Sequence, residues 1–384
     1  MKKKTLNYLR SQINYINYKI IKLLSQRELI SIDILKNKIC NNFKIQDKKR
    51  EVQLFQKIEK ISKKKKINLV FIKKIFKLII KNSIYIQKFW NKEIFKKKKI
   101  YNCGYLGPIG SYSYIALNTL IRKEKKIFLE NAYKNFESII TDLNKEICKY
   151  AILPIENNIS GIIPEVYEIL KNQEEIYIIQ EVYIKIKHTL LTIKNSIFSE
   201  IKNVYSHQQP FKQCSNFLKN FPKWKKHCFN STSAAMTHLL KENKKDTAVI
   251  GNIVGGSYYN LKKIATNISN KKKNITRFIL ISKKPRKLLN FVSKKITMLL
   301  TIIKNKKNKK KILNIFRKKK IILLKLIKNK NINKKKEITY FIEIQLDIES
   351  KKIQHLLFKI NKYTKRTKFL GCYPIEEKLN NSIK

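Results

Sequence analysis

Arg10, Arg27 and Arg50 stand in a stretch where every other cation is lysine, and each lies within or beside an apolar helical stripe. A guanidinium is a planar, two-pronged donor that matches a carboxylate in a way an ammonium cannot copy. Further along, Ser231-Thr232-Ser233 precedes Ala234-Ala235-Met236, and Gly110-Ser111 precedes Tyr114-Ile115-Ala116-Leu117. Each reads as a helix start whose free N–H groups and hydroxyls can take a carboxylate. Singly, each has a plainer reading: long cations on helices reach out to solvent, and Ser or Thr before a helix caps it. Taken together they sketch sites for carboxylates. No metal-ligand cluster and no nucleotide loop is visible, so no metal or organic cofactor is implied.

Residues 1 to 103 contain neither glycine nor proline, and Leu6, Leu9, Ile13, Ile16, Ile20, Leu23 and Leu24 recur at helical spacing. This predicts an all-helical domain over 1–95, with a first helix of more than thirty residues, a second from Gln46 or Asp47, and a third over Leu69 to Trp90. Every glycine except Gly371 lies between Gly104 and Gly256, where short apolar runs alternate with helical patterns, so an α/β domain spans 102–284. From 295 to 376 strand-like runs at Ile296–Ile303, Ile321–Ile327, Glu337–Leu346 and Thr367–Tyr373 interleave with helices in the order βαββαβ, a small α+β domain. The fold class is multidomain.

At 384 residues several domains are expected, and 43% hydrophobic content is enough for them to fold despite a net charge of +60. That charge is spread over the whole chain among isoleucine and asparagine, with no zinc-finger, RNP or KH signature, so no specific nucleic-acid partner is assigned. The six cysteines form no C-x-x-C pair, the start carries no apolar signal, and lysines break every apolar run. A reduced, soluble, cytoplasmic protein with no membrane partner is expected.

The frames LRSQI (9–13), QRELI (26–30), KNK (36–38), DKKRE (47–51) and NSIYIQ (82–87) resemble, in order and spacing, those of the small helical chorismate mutases. The resemblance implies that Arg10 and Arg27 hold the two carboxylates of chorismate and that Lys38 and Gln87 bond its ether oxygen. Asp47, Arg50, Glu51 and Ser83 would orient the ring hydroxyl or the other side chains. The rearrangement to prephenate needs a compressed conformer and stabilised charge, with no general base. On one straight helix, Arg10 and Arg27 are about 25 Å apart at 1.5 Å per residue. They cannot clasp one small dianion, so a homodimer with Arg10 contributed across subunits is expected, as in that family.

Five segments, GPIGSYS (107–113), PIEN (154–157), SHQQPFKQC (206–214), STSAA (231–235) and TRF (276–278), resemble prephenate dehydratase, a two-lobed fold. Aromatisation drives loss of the ring hydroxyl with carbon dioxide, so a donor aimed at that oxygen suffices. The resemblance gives this task to Thr276, with Arg277 and Phe278 shaping the pocket and Asn157, Ser206, Gln213 and Thr232 lining it. His207 belongs to a turn into a helix. Asn158 and Tyr114 depart from the family's usual Ser or Thr and His.

The ending FLGCYP (369–374) and the βαββαβ order resemble the ACT domain with which such enzymes sense phenylalanine. Its small-residue turn and its ESRP-type segment are replaced by Lys307-Asn308-Lys309 and Ile327-Lys328-Asn329-Lys330. Bulky cations where glycine lets backbone approach a ligand imply weakened or lost phenylalanine feedback. The function expected is thus conversion of chorismate to prephenate and of prephenate to phenylpyruvate. Two rivals are a basic nucleic-acid-binding protein, which leaves the TRF segment without a cause, and a catalytically inactive amino-acid-binding regulator, against which stand Lys38, Gln87 and Thr276.

Overall fold

A computed structural model describes residues 5–40, 43–91, 100–123, 127–286, 294–303, 306–319, 321–329, 337–346 and 350–375. The chain divides into two compact units, Met1–Ile100 and Tyr101–Lys384.

The first unit is helical, as its apolar spacing predicts and its lack of glycine and proline permits. Helix α1 (Leu6–Cys40) runs unbroken for 35 residues. Helix α2 (Lys48–Lys64) opens on Asp47, whose carboxylate accepts the Arg50 N–H at 2.9 Å, and α3 (Leu69–Trp90) opens on Asn68, which accepts from Phe71 N at 3.1 Å. Both caps satisfy N–H groups that have no partner inside the helix. The C-terminal half of α1 packs on α3, where Leu35 and Ile80 are buried. Its N-terminal half keeps its apolar stripe exposed: Leu6, Ile13, Ile16 and Leu23 are 63, 58, 54 and 64% accessible.

The second unit begins with two α/β lobes. In lobe A, β1 (Ile100–Leu106), β2 (Ile127–Tyr133), β3 (Tyr150–Asn157), β4 (Gly161–Ile162), β5 (Tyr177–Lys185) and β11 (Ile275–Ser282) form a sheet in the order β2-β1-β3-β11-β5, with β4 on β3. Helices α4 (Tyr112–Lys123), α5 (Phe136–Asn144) and α6 (Pro164–Asn172) cover it. In lobe B, β6 (Thr189–Thr192), β7 (Asn203–Ser206), β8 (Lys225–Cys228), β9 (Thr247–Gly251) and β10 (Lys262–Thr266) run in the order β10-β6-β9-β7-β8. This lobe carries α7 (Gln208–Gln213), α8 (Ser215–Lys219), α9 (Thr232–Glu242) and α10 (Ile253–Tyr258). The chain enters lobe B through residues 186–188 and returns through 267–274. These crossings are stitched together by Ile186 N–H to the Asn274 carbonyl at 2.8 Å and Ile268 N–H to the His188 carbonyl at 3.4 Å.

The βαββαβ order is realised as β12 (Lys294–Ile303), α11 (Lys306–Lys318), β13 (Ile322–Asn329), β14 (Glu337–Leu346), α12 (Ser350–Asn361) and β15 (Arg366–Pro374). The strands form an antiparallel sheet ordered β13-β14-β12-β15. One face buries Ile296, Met298, Leu300, Phe316 and Ile360 under its two helices. The other sends Leu299, Phe341, Leu370 and Tyr373 into the core of lobe A beside Ile178, Ile279 and Ile281. This alternation is the period-two pattern of a sheet covered on both faces.

Candidate functional site

The helical unit brings part of its expected set together. Arg27, Ser31, Leu35 and Lys38 follow one another at spacings of four, four and three on α1, and Ile80, Ser83 and Gln87 do the same on α3, so both sets lie on the facing surfaces. Gln87 is 5% exposed, and its Nε2 donates to the Ser31 carbonyl at 3.1 Å. Its Oε1 and the Arg27 Nε are enclosed without a hydrogen-bond partner among the described residues. The Lys38 ammonium reaches over the end of α1 to the Ile45 carbonyl. Ser83 returns its hydroxyl to Ile79 O at 3.0 Å, and Glu51 accepts from Gln46 at 3.2 Å. Asp47 caps α2. Arg50 is exposed, and its guanidinium donates to Gln53 Oε1 at 3.4 Å. Arg10 lies far down the exposed half of α1, away from the others.

In the second unit a cavity of about 710 Å³ opens between lobes A and B, lined from one side by Gly107, Ser111, Ser113, Asn157, Thr276 and Phe278 and from the other by His188, His207, Gln213, Ser231 and Thr232. The two helix starts legible in the sequence face each other across it. Ser111 Oγ accepts from Tyr114 N at 3.2 Å and Ser231 Oγ from Ala234 N at 3.0 Å, so these two hydroxyls are caps. Thr232, one residue on, also lines the cavity.

Thr276 and Asn157 are cross-strand partners in β11 and β3, and Asn157 Nδ2 donates to Thr276 Oγ1 at 2.9 Å. The polarity is fixed, because Asn157 Oδ1 already accepts from the Ile159 and Ser160 N–H groups, each at 2.9 Å. Thr276 is therefore an acceptor within the protein, and its own hydrogen is free for the cleft. His207 caps α7 through Nδ1, accepting from Gln209 N at 3.2 Å, the turn expected of it. Burial holds its imidazole below the usual histidine range.

Two expected lining residues are elsewhere. Ser206 is fully enclosed in β7 and donates to the Ile250 carbonyl at 2.9 Å, so it ties β7 to β9 and does not reach the cleft. Arg277 follows Thr276 along a strand, and successive strand side chains point to opposite faces. It leaves the cleft and enters the contact with the C-terminal sheet, bonding Glu343 at 2.5 and 3.0 Å, Glu181 at 2.7 Å and Tyr373 Oη at 3.2 Å. Burial opposes its charge, but the interactions with Tyr373, Glu343 and Glu181 outweigh burial and hold the guanidinium protonated beyond its ordinary range.

Two residues that hold the cleft's polar groups, His188 at its wall and Asn274 behind it, were not found from the sequence. His188 Nε2 is 2.8 Å from Gln213 Oε1, and Asn274 Nδ2 donates to the same oxygen at 3.0 Å while its Oδ1 accepts from Asn157 at 2.7 Å. Both are buried in the crossings between the lobes. They stand just before β6 and β11, and no local motif marks either position.

A family model for chorismate mutase type II matches residues 9–88, and one for prephenate dehydratase matches residues 103–286. A bifunctional chorismate mutase/prephenate dehydratase of Buchnera aphidicola subsp. Schizaphis graminum is 39% identical over 369 residues, 96% of each chain. The Escherichia coli protein of the same description is 30% identical over 370 residues, again 96% of each. Among solved structures, prephenate dehydratase of Arthrobacter aurescens in complex with L-Phe superposes with a TM-score of 0.63 at 20% identity, covering 71% of this chain and 90% of that one. With matches to both enzyme models and relatives aligned over nearly its whole length, this chain belongs to the family of bifunctional chorismate mutase/prephenate dehydratases.

Proposed function

We propose a division of labour for the residues of the two activities that the family carries, chorismate to prephenate and prephenate to phenylpyruvate. In the cleft, Thr276 Oγ–H donates to the leaving ring hydroxyl as carbon dioxide departs from the carbon opposite it across the ring, whose bonding electrons pass through a ring double bond to expel that hydroxyl and aromatise the ring. Asn157 aims that hydroxyl, Phe278 packs the ring, and Gln213 and Thr232 take carboxylate oxygens. The observation that carries this reading is the Asn157 to Thr276 hydrogen bond of 2.9 Å, which leaves the threonine hydrogen facing the cavity. Following phenylpyruvate from added prephenate tests it: Thr276→Val abolishes that step and spares the mutase, while Lys38→Ala does the reverse.

In the helical unit Arg27 receives a carboxylate of chorismate, and Lys38 and Gln87 stabilise the ether oxygen as negative charge builds there. Asp47, Arg50, Glu51 and Ser83 orient the ring hydroxyl and the neighbouring side chains. Arg10 acts from a second copy of the chain. Its separation from Arg27 along α1 and the uncovered apolar stripe around it both favour an intertwined homodimer.

The division into 1–95, 102–284 and 295–376 is the domain organisation we adopt, with the last an ACT-like sensor that has lost its ligand. Lys307, Asn308 and Lys309 form the first turn of α11, and the Lys309 ammonium stands 5.4 Å from the centre of the Tyr340 ring. A cation seated there fills the place where the family's small residues admit an amino acid. Lys328 and Asn329 close β13, and Lys330 lies outside the described residues. Calorimetry with phenylalanine is expected to show no micromolar binding and no inhibition of either activity. Among the described residues no helix is long and apolar enough to cross a membrane, which agrees with a cytoplasmic enzyme.

A further inference from the structure

We propose that Asn274 and His188 are positioning residues that fix the hydrogen-bond polarity of the cleft, so that Gln213 and Thr276 both present donors to the substrate. This rests on the reading of the cleft as the dehydratase site. Backbone settles the polarity at one end. Asn157 Oδ1 takes the Ile159 and Ser160 N–H groups, each at 2.9 Å, so its Nδ2 must face the other way. There it meets Asn274 Oδ1 at 2.7 Å and Thr276 Oγ1 at 2.9 Å.

With its oxygen used, Asn274 can offer only Nδ2 to Gln213, 3.0 Å away, and the atom it meets must be Oε1. His188 Nε2 lies 2.8 Å from that same oxygen, which carries no hydrogen, so the imidazole is the tautomer protonated at Nε2. Its Nδ1 is enclosed and has no partner among the described residues. Each link leaves a single choice for the next. Gln213 Oε1 is thus doubly occupied, while its Nε2, with no partner among the described residues, is left for the cavity beside the Thr276 hydrogen.

A ligand with two carboxylates and a departing hydroxyl offers oxygen acceptors, and buried donors without acceptors are costly, so this polarity selects such ligands over ones presenting donors. The chain also runs through both lobe crossings: His188 lies in the first and Asn274 in the second, so the donors are set by the hinge itself. Neither residue need touch substrate for this.

Asn274→Asp tests the polarity at nearly constant shape. The aspartate still accepts from Asn157 but turns an oxygen toward Gln213 Oε1, so the Gln213 amide must rotate and show its oxygen to the cleft. In the full chain we expect KM for prephenate to rise about ten-fold, the scale of one lost charged hydrogen bond, with kcat changed much less because Asn157 still aims Thr276. A loosened hinge would lower kcat as well. His188→Leu should raise KM about five-fold by freeing Gln213, and His188→Gln, whose amide restores the donor, should recover most of that loss. Chorismate turnover is the internal control for folding, and should Asn274→Asp lower it too, the Leu and Gln pair at position 188 decides. If Thr276→Val silences dehydration but KM stays at the parent value in Asn274→Asp, or in both position-188 variants, the inference is overturned while the site stands. If Thr276→Val leaves dehydration intact, the reading of the site falls and the inference with it.

Discussion

Thr276 and Arg277 are consecutive in β11 and serve opposite faces of one sheet: Thr276 Oγ1 is held by Asn157 in the cleft, and Arg277 forks onto Glu343 of β14 at 2.5 and 3.0 Å. Their cross-strand neighbours repeat the division, with Asn157 opposite Thr276 and Glu156 opposite Arg277. Every strand of the C-terminal sheet sends polar groups into the anchor. Lys295 of β12 bonds Glu181, Lys325 of β13 pairs with Glu156, Glu343 of β14 takes the Arg277 fork, and Tyr373 of β15 bonds Arg277 and Thr297. Arg277, Lys295 and Lys325 balance Glu156, Glu181 and Glu343, so the buried network is formally neutral.

Removing one member should therefore be far costlier than removing a surface pair. Glu343 is 2% exposed, and Glu343→Gln leaves a buried guanidinium short of one charge partner. A loss of about 3 kcal/mol is expected, at the low end for a broken buried pair because Glu181 and Glu156 remain. The denaturant midpoint of the second unit, compared with unchanged chorismate turnover, measures it. A midpoint equal to the parent's would show that the network contributes no stability.

Close backbone approach supplies a second test of the same contact. Gly371 in β15 has φ +147°, and a Cβ there would stand 2.1 Å from the Ile178 carbonyl oxygen of β5. No rotamer relieves a clash with backbone, so Gly371→Ala should cost about 3 kcal/mol. Gly161 is also left-handed, at φ +85°, but has nothing within 4 Å of its notional Cβ. There Ala meets only the conformational penalty, about 1 kcal/mol. Thermal melts of the two variants should separate in that order.

The helical unit was legible because its sequence leaves few choices: with no glycine or proline and a steady 3.6-residue stripe, the third helix falls at Leu69–Trp90 as expected, and Asp47 marks the second by capping it. The strands of the C-terminal domain followed from their length and β-branched content, Glu337–Leu346 to the residue. Arg277 was misplaced because the TRF triplet was treated as one unit, whereas a strand must split it, Thr276 and Phe278 to one face and Arg277 to the other. Ser206 failed for a related reason, since the inner residues of a sheet covered on both sides look alike in sequence. His188 and Asn274 are 86 positions apart, and only the return of the chain through the hinge makes them neighbours of Gln213.

The hinge histidine predicts a pH dependence. Burial holds the His188 imidazole below its ordinary value, against the smaller upward pull of Gln213. Its other close neighbour is the Tyr112 ring, 6.3 Å between centroids and edge-on, whose hydroxyl is also kept neutral by burial and donates to the Lys187 carbonyl. The unfolded chain binds the proton more readily, so stability is complete above the ordinary value of 6.5 and declines as pH falls from there toward the lowered native value. His188→Gln carries no titrating group and should flatten that part of the stability curve. An unchanged slope between neutral and mildly acidic pH in this variant would assign the effect to another group, His207 being the first to examine.

The proposed dimer can be separated from the cleft by one substitution on α1. Ile16 is 54% exposed and sits between Arg10 and Arg27 on the uncovered stripe. Glutamate preserves helix propensity there, so Ile16→Glu should leave α1 formed while burying a carboxylate wherever a second copy packs. If Arg10 reaches its site only across that contact, sedimentation should show dissociation and mutase turnover should fall at least 100-fold, a transition-state loss of about 3 kcal/mol. Conversion of prephenate should persist, because no group lining the cleft belongs to the helical unit. A monomer that retained full mutase activity would require Arg10 to be dispensable. An unaltered dimer would move the contact away from this stripe, and Arg10→Ala would then have to show whether that guanidinium takes part in catalysis at all.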